Sequence, residues 1–322
     1  MIVNFIIFIS NKYLTLASCI MKYFVILITL FALYNSQSPN KTKTQPKKVD
    51  PSYLIFPYND SLIDWKNVEK QNEALKEEFI KNHPSNFDNC YNGYMHPGTD
   101  TPPEPNKLKK AIHIIDINGD GLDDIIYDGS GGWETNRVLI YLNSPNGLNL
   151  IFVDKQYVKK LEFRNGHVWR IYTYDPGCCA EYMVFNKIFE FSYTGYPNDF
   201  KEIYSTAYYK HTQLSKSYLD PPINFSVLVN SCKLRTNPVV APHDTLNMDG
   251  DMHIGNDVGI IEKGSIGRAI AIQHDNKGNE WWLVEMDLKA KIKSKILYNE
   301  LSESDLSGKV GWLNSKEVKT IN

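Results

Sequence analysis

The sequence predicts a mainly β (α+β) protein, with a mixed domain ahead of a smaller β unit. Three observations carry this. Aromatic residues make up 12% of the chain, with 20 Tyr, and such residues suit the half-buried surface of a pleated sheet. From residue 111 onward, short apolar runs alternate with Gly, Asn and Pro turns. One stretch alone, residues 61–82, carries a long helical period. With 322 residues and a 42% hydrophobic share, the chain is long enough for two domains with cores of their own. The net charge of −2 provides no global basic field, so nucleic acid is not an expected partner.

The first expected segment is a leader, residues 1–38. "MKYFVILITLFALYNSQS" begins at Met21. One Lys, an apolar run from Tyr23 to Leu33 and then small polar residues follow the order of a secretory signal peptide. The twenty residues before it read as an upstream extension, with Met21 as the true start. "LASC" at 16–19 offers a lipidation box at Cys19, and Phe5 to Leu33 offers a membrane anchor. Asn11, Lys12 and Lys22 break that anchor, and the part from Tyr23 to Tyr34 is shorter than the ~20 residues a span needs. All three readings export the chain, to the outside, the periplasm or the cell envelope. No stable membrane span is expected in the mature chain.

Residues 39–60 read as a linker, because "PNKTKTQPKKVD" is polar, basic and Pro-containing. Residues 61–82 read as a helix, with Leu62, Trp65, Val68, Leu75 and Phe79 on one face. "HPGTDTPPEPN" at 96–106 reads as a Pro-rich loop. Strands are expected at 111–115, 124–129, 137–143 and 166–175, with a strand or hairpin at 181–193. "LDPPIN" at 219–224 places a domain boundary near residue 222, since two prolines exclude regular structure there. Residues 223–322 form the second unit.

One loop in the first domain, 61–222, has metal-ligand chemistry. "DINGDGLDD" at 116–124 puts Asp116, Asn118, Asp120 and Asp124 at spaced positions, with Gly121 at the bend. A hard cation such as Ca²⁺ takes six to eight oxygens, and alternating side chains on a curled backbone can converge on it. The Leu122 carbonyl is a further donor. The twelfth loop position is Tyr127, where an EF-hand needs Glu, and a strand follows, so this is not an EF-hand. Residues 112–148 resemble a single FG-GAP or VCBS repeat, the calcium-loop unit of propeller blades. The resemblance implies that Asp116, Asn118, Asp120, Leu122 and Asp124 ligate a structural Ca²⁺. A propeller needs about four to eight blades. One unit therefore implies a brace within a sheet instead.

The second unit also carries a resemblance. "SCKLRTNPVV" at 231–240, "VGIIEKGSIGRAIAI" at 258–272, "EWWLVEM" at 280–286 and "GKVGWLNSKEV" at 308–318 resemble a bacterial SH3 (SH3b) domain. That implies a small SH3-like β-barrel. Such domains bind peptidoglycan peptides, which makes cell wall or an envelope protein the implied partner. Trp281, Trp282 and Trp312 are candidate ligand contacts, because aromatics supply stacking area. Strand alternation puts Trp281 and Trp282 on opposite faces, so one is expected buried and one exposed. Two segments depart from the family pattern: a long first loop at 241–257 and a polar, Lys-rich insertion at 289–307.

No H-E-x-x-H, G-x-S-x-G or Walker A pattern occurs. The expected function is therefore non-catalytic: an exported binding or accessory protein. The alternatives are a cysteine-dependent hydrolase using Cys178 or Cys179 with His211 downstream, and a protein-partner module acting as an inhibitor or secretion accessory. Of five cysteines, removal of Cys19 with the leader leaves Cys90, Cys178, Cys179 and Cys232. Cys90 paired with Cys178 or Cys179 is the candidate disulfide, with four buried thiols as the competing reading. His113, between Ile112 and Ile114 on an expected strand, reads as a satisfied structural histidine. Asn40, Asn59 and Asn224 begin N-x-S/T triplets, which carry glycans only in a host that glycosylates them.

Overall fold

A computed structural model describes residues 55–58, 61–82, 105–132, 135–176, 183–192, 199–248, 251–287, 289–294 and 309–321. The molecule is mainly β. Helices α1 (Glu73–Asn82) and α2 (Pro105–Ala111) precede the sheets. A four-stranded antiparallel sheet follows in the order β1 (Ile112–Ile115), β2 (Asp124–Gly132), β3 (Thr135–Leu142), β4 (Asn149–Asp154). The next four strands are β5 (Tyr157–Arg164), β6 (His167–Asp175), β7 (Met183–Ser192) and β8 (Asp199–Tyr209).

The helix expected over 61–82 is shorter. Residues 65–67 form a 3₁₀ turn, capped where the Lys66 amide donates to Asp64. The Lys70 amide donates to the Ile114 carbonyl at 2.8 Å, so this segment pairs with β1 and is not free to form a helical ladder. The helix starts only at Glu73, with Asn72 as its N-cap: Asn72 Oδ1 accepts from the Leu75 amide at 3.1 Å. Of the Pro-rich loop expected at 96–106, residues 96–104 lie outside the described residues. Pro105 opens α2, where its fixed φ is pre-organised for the first helical turn. Residues 183–192 form one strand and no hairpin.

Three apolar clusters explain why these strands are apolar on both faces. Phe79, Leu108, Ile112, Ile114, Ile125, Tyr127, Leu139 and Tyr141 pack the helices onto the first sheet. Ile115, Ile126, Val138, Ile140 and Phe152 on its other face meet Val168, Ile171, Phe189 and Phe200 of β6–β8. The two sets alternate residue by residue along β2 and β3, as period-2 side chains must. The far face of β6–β8 carries Tyr172 and Ile188, which cluster with Phe56, Tyr58, Trp281 and Trp312. The end of the expected linker is therefore not loose: Phe56 and Tyr58 are core residues.

The remaining strands are β9 (Ile223–Val227), β10 (Cys232–Arg235), β11 (Thr245–Met248), β12 (Asp251–Ile254), β13 (Asp257–Ile261), β14 (Ile266–His274), β15 (Glu280–Met286), β16 (Ile292–Ser294), β17 (Lys309–Asn314) and β18 (Val318–Thr320). All but the separate β11–β12 hairpin join β5–β8 in one 12-stranded sheet, whose main path runs β18-β9-β14-β15-β17-β8-β7-β6-β5. The sheet crosses residue 222: β17 pairs in parallel with β8 at Lys309–Ala207 and Val310–Tyr208. Two residues further, Trp312 pairs with Arg235 of β10. Gly311 sits at this fork. A Cβ there would lie 2.6 Å from Leu234 and 2.9 Å from the Arg235 carbonyl, so the close approach requires glycine.

Candidate functional site

The loop joining β1 to β2 folds around its own side chains. Asp116 accepts from the Gly119 amide at 2.8 Å and the Gly121 amide at 3.0 Å. Asn118 Oδ1 accepts from the Asp120 amide, and Asp120 Oδ1 from the Leu122 amide. Gly119 and Gly121 take positive φ values of 75° and 89°, a conformation that costs glycine least. Asp124 is fully buried and ties two other segments to the loop: its oxygens accept from the Ile117 and Asn143 amides, both at 2.7 Å. Burial, with the charges of Asp120 and Asp116 added, pushes its carboxyl up to about 6. Asp123 turns away to Lys70 at 2.8 Å and Asn72 at 2.9 Å, which hold it below the usual carboxylate range.

The donor set is all oxygen and suits Ca²⁺ over softer metals. The charges of Asp120 and Asp116 add to the burial that raises the Asp124 carboxyl, and a cation among them would relieve that repulsion. Among the described residues, no group of three or more His, Cys, Asp or Glu side chains converges closely enough to hold a metal. The loop carboxylates are instead turned onto the loop's own amides.

The tryptophans are corrected. Trp281 and Trp282 do lie on opposite faces, in different clusters, but neither is exposed, and Trp312 is fully buried. The reason is a long-range one. The strand face expected to meet solvent is covered by β6–β8 and the 55–58 strap. Each indole N–H is also satisfied: Trp281 donates to Asp275 at 3.1 Å, Trp282 to Glu280 at 2.8 Å and Trp312 to the Gln213 carbonyl at 2.7 Å. The three side chains are core and are not available as a stacking surface.

Exposed apolar residues lie elsewhere in this unit. Val240, Met252 and Ile254 are 64%, 71% and 69% exposed, on the long loop that carries the β11–β12 hairpin. Buried Asn256 organises that loop. Its side chain accepts from the Ala241 amide at 3.1 Å and donates to the Val239 carbonyl at 2.7 Å and to Asn237. Cys232 is a free, buried thiol that donates to Glu317 at 3.2 Å, and burial pushes it far above the ordinary thiol range. Cys90, Cys178 and Cys179 lie outside the described residues.

A group of partners absent from the sequence reading surrounds His113. Its Nδ1 is 3.0 Å from Glu69, whose carboxylate also takes Lys76 at 3.3 Å. Trp65 stacks on the imidazole at 3.8 Å and donates to Asp128 at 3.3 Å. Trp65 is in the 3₁₀ turn and Glu69 lies between that turn and α1, so helical periodicity across 61–82 could not place them. Burial pushes His113 down to about 4 and Asp128 up to about 7. The signs oppose. Neutral His113 contributes stability that is lost as pH falls from its unfolded value of 6.5 towards 4. Asp128 is easier to bury neutral, and its contribution is lost as pH rises from 3.8 through 7. Asp128→Asn removes the charge and keeps one oxygen, which can serve one of the two donors that now use Oδ2 and Oδ1, the Trp65 indole and the Val158 amide. It is expected to gain about 1–3 kcal/mol over the native chain at pH 8 and almost nothing at pH 4, read by urea unfolding at both. An equal gain at both would show that ionisation of Asp128 is not the cause.

These are the features set beside known proteins. The chain matches no family model, no curated protein and no solved structure.

Proposed function

We propose that the chain is an exported, non-catalytic binding protein of the cell envelope, in which an SH3-like β-barrel is built onto a calcium-braced β domain. One observation carries the barrel reading. The strands β18-β9-β14-β15-β17-β10-β13 follow one another by antiparallel pairing, and Phe225, Val227, Leu234, Val258, Ala269, Val284, Leu313 and Val318 of those seven strands share one core. The 3₁₀ turn Ser315–Glu317 before the last strand supports it further. With the tryptophans inside, the contact surface is the long first loop, with Val240, Met252 and Ile254. Exposed apolar side chains, with Met252 and Ile254 two residues apart on β12, are the feature of this loop that suits an interaction site. The partner is peptidoglycan or an envelope protein.

The test is sedimentation with purified cell-wall sacculi. The native chain is expected to pellet with them, and a Met252→Ser/Ile254→Ser variant of unchanged Tm is expected to remain in the supernatant. Equal pelleting of both would remove the loop from the interface.

In the same reading Asp116, Asn118, Asp120, the Leu122 carbonyl and Asp124 hold Ca²⁺, which supplies positive charge and has no catalytic part. These residues fix the β1–β2 connection to Ile117 and Asn143. Saturating Ca²⁺ is expected to raise Tm over EDTA by about 3–8 °C, since a ligand bound only by the folded state stabilises it. Asp120→Ala is expected to abolish the shift. A Tm indifferent to Ca²⁺ in the native chain would leave the loop a self-bonded turn.

A further inference from the structure

A cleft of about 500 Å³ opens between the 61–70 segment, the start of α1, the end of α2 and β1. That is the size range of small-molecule sites. Ile63 and Trp65 form an apolar wall. The floor is the Glu69–Lys76 pair with His113 beside it. His113 is neutral at physiological pH because burial lowers it, so the floor adds no net charge.

The rim is different. Lys76 is held by Glu69, and Lys109 by Glu77 at 2.6 Å. Lys66 and Lys110 line the same cleft and are exposed. Among the described residues, neither has a carboxylate within ion-pair distance. Two lysines without an acidic partner thus line the same cleft as Ile63 and Trp65. Asp64, Glu69 and Glu73 also line the cleft, and their charges disfavour a dianion such as phosphate. A monocarboxylate carries half that charge and meets correspondingly weaker repulsion.

We propose that this cleft binds a small monocarboxylate with an apolar body, its carboxylate on Lys66 and Lys110 and its body against Ile63 and Trp65. The site shares no residue with the long loop at 241–257 and stands or falls independently of wall binding.

The test is calorimetric titration of the full chain at low salt with benzoate, acetate and inorganic phosphate. Benzoate is expected to bind saturably at one site. Acetate, which lacks the apolar body, is expected to bind at least about tenfold more weakly. Lys66→Gln/Lys110→Gln is expected to weaken benzoate by about tenfold or more with Tm unchanged. Ile63→Ser is expected to weaken benzoate and leave acetate alone. Absence of saturable benzoate binding would overturn the proposal, as would benzoate binding that ignores the lysine variant. Phosphate binding tighter than benzoate would overturn the monocarboxylate assignment.

Discussion

Trp312→Ala is expected to cost about 3–5 kcal/mol, the range for emptying a large buried aromatic site. Trp312 is fully buried at the fork where β17 leaves β8 and meets β10. Its removal opens a cavity beside Tyr172, Ile188, Trp281 and Leu283. It also leaves the Gln213 carbonyl, now 2.7 Å from the indole N–H, without that donor. Trp312→Phe keeps most of the volume and loses the donor, so its cost should be nearer 1–3 kcal/mol. The midpoint of urea unfolding reads both. A surface-exposed ligand contact would behave otherwise: truncation would weaken binding and leave the midpoint almost unmoved.

Glu285→Ala is expected to cost a similar amount, about 3–5 kcal/mol, because it breaks a buried ion pair from one side. Glu285 is buried on β15. Its carboxylate accepts from Tyr58 at 2.5 Å and from Tyr204, and from Arg268 at 2.7 Å and 2.5 Å. Four chain segments meet there: the 55–58 strap, β8, β14 and β15. Burial, reinforced by the Glu285 charge, pushes both phenols well above the ordinary tyrosine range, so they remain donors throughout the working pH range. Alanine removes the acceptor from all of them and leaves the Arg268 charge without its carboxylate. Replacing Arg268 and Glu285 together by Met should recover part of the loss, since no uncompensated charge then remains. A double variant as unstable as the sum of the singles would contradict this account of the pair.

Much of the strand pattern was legible because it is local. The runs at 112–115, 124–129, 137–142, 167–175 and 280–286 are apolar or alternating, and turns bound them. β5 was missed, although a local signal for it exists. Asn165-Gly166, with both residues at positive φ, is the strongest short hairpin signal, and it predicts a strand on each side. The α1 boundary was less accessible, because the Lys70 amide bonds to a strand more than forty positions away. The tryptophans show the same limit. Alternation separated Trp281 from Trp282 correctly, but no local rule could reveal that β6–β8 and Phe56 cover the second face. The His113 cleft depends on Glu69, Lys76 and Lys110, which come together only when the helices dock on β1. The loop at 116–124 is the opposite case: its turn geometry is written in Asp, Asn and Gly spacing alone.

The most direct test of the central claim is sedimentation of the native chain with purified sacculi, once in Ca²⁺ and once in EDTA. The account predicts pelleting in both, because the proposed contact surface is on the long loop at 241–257 and the proposed metal would brace a different sheet. Pelleting in Ca²⁺ alone would make the 116–124 loop part of the interface. Failure to pellet in either would contradict the claim of wall binding.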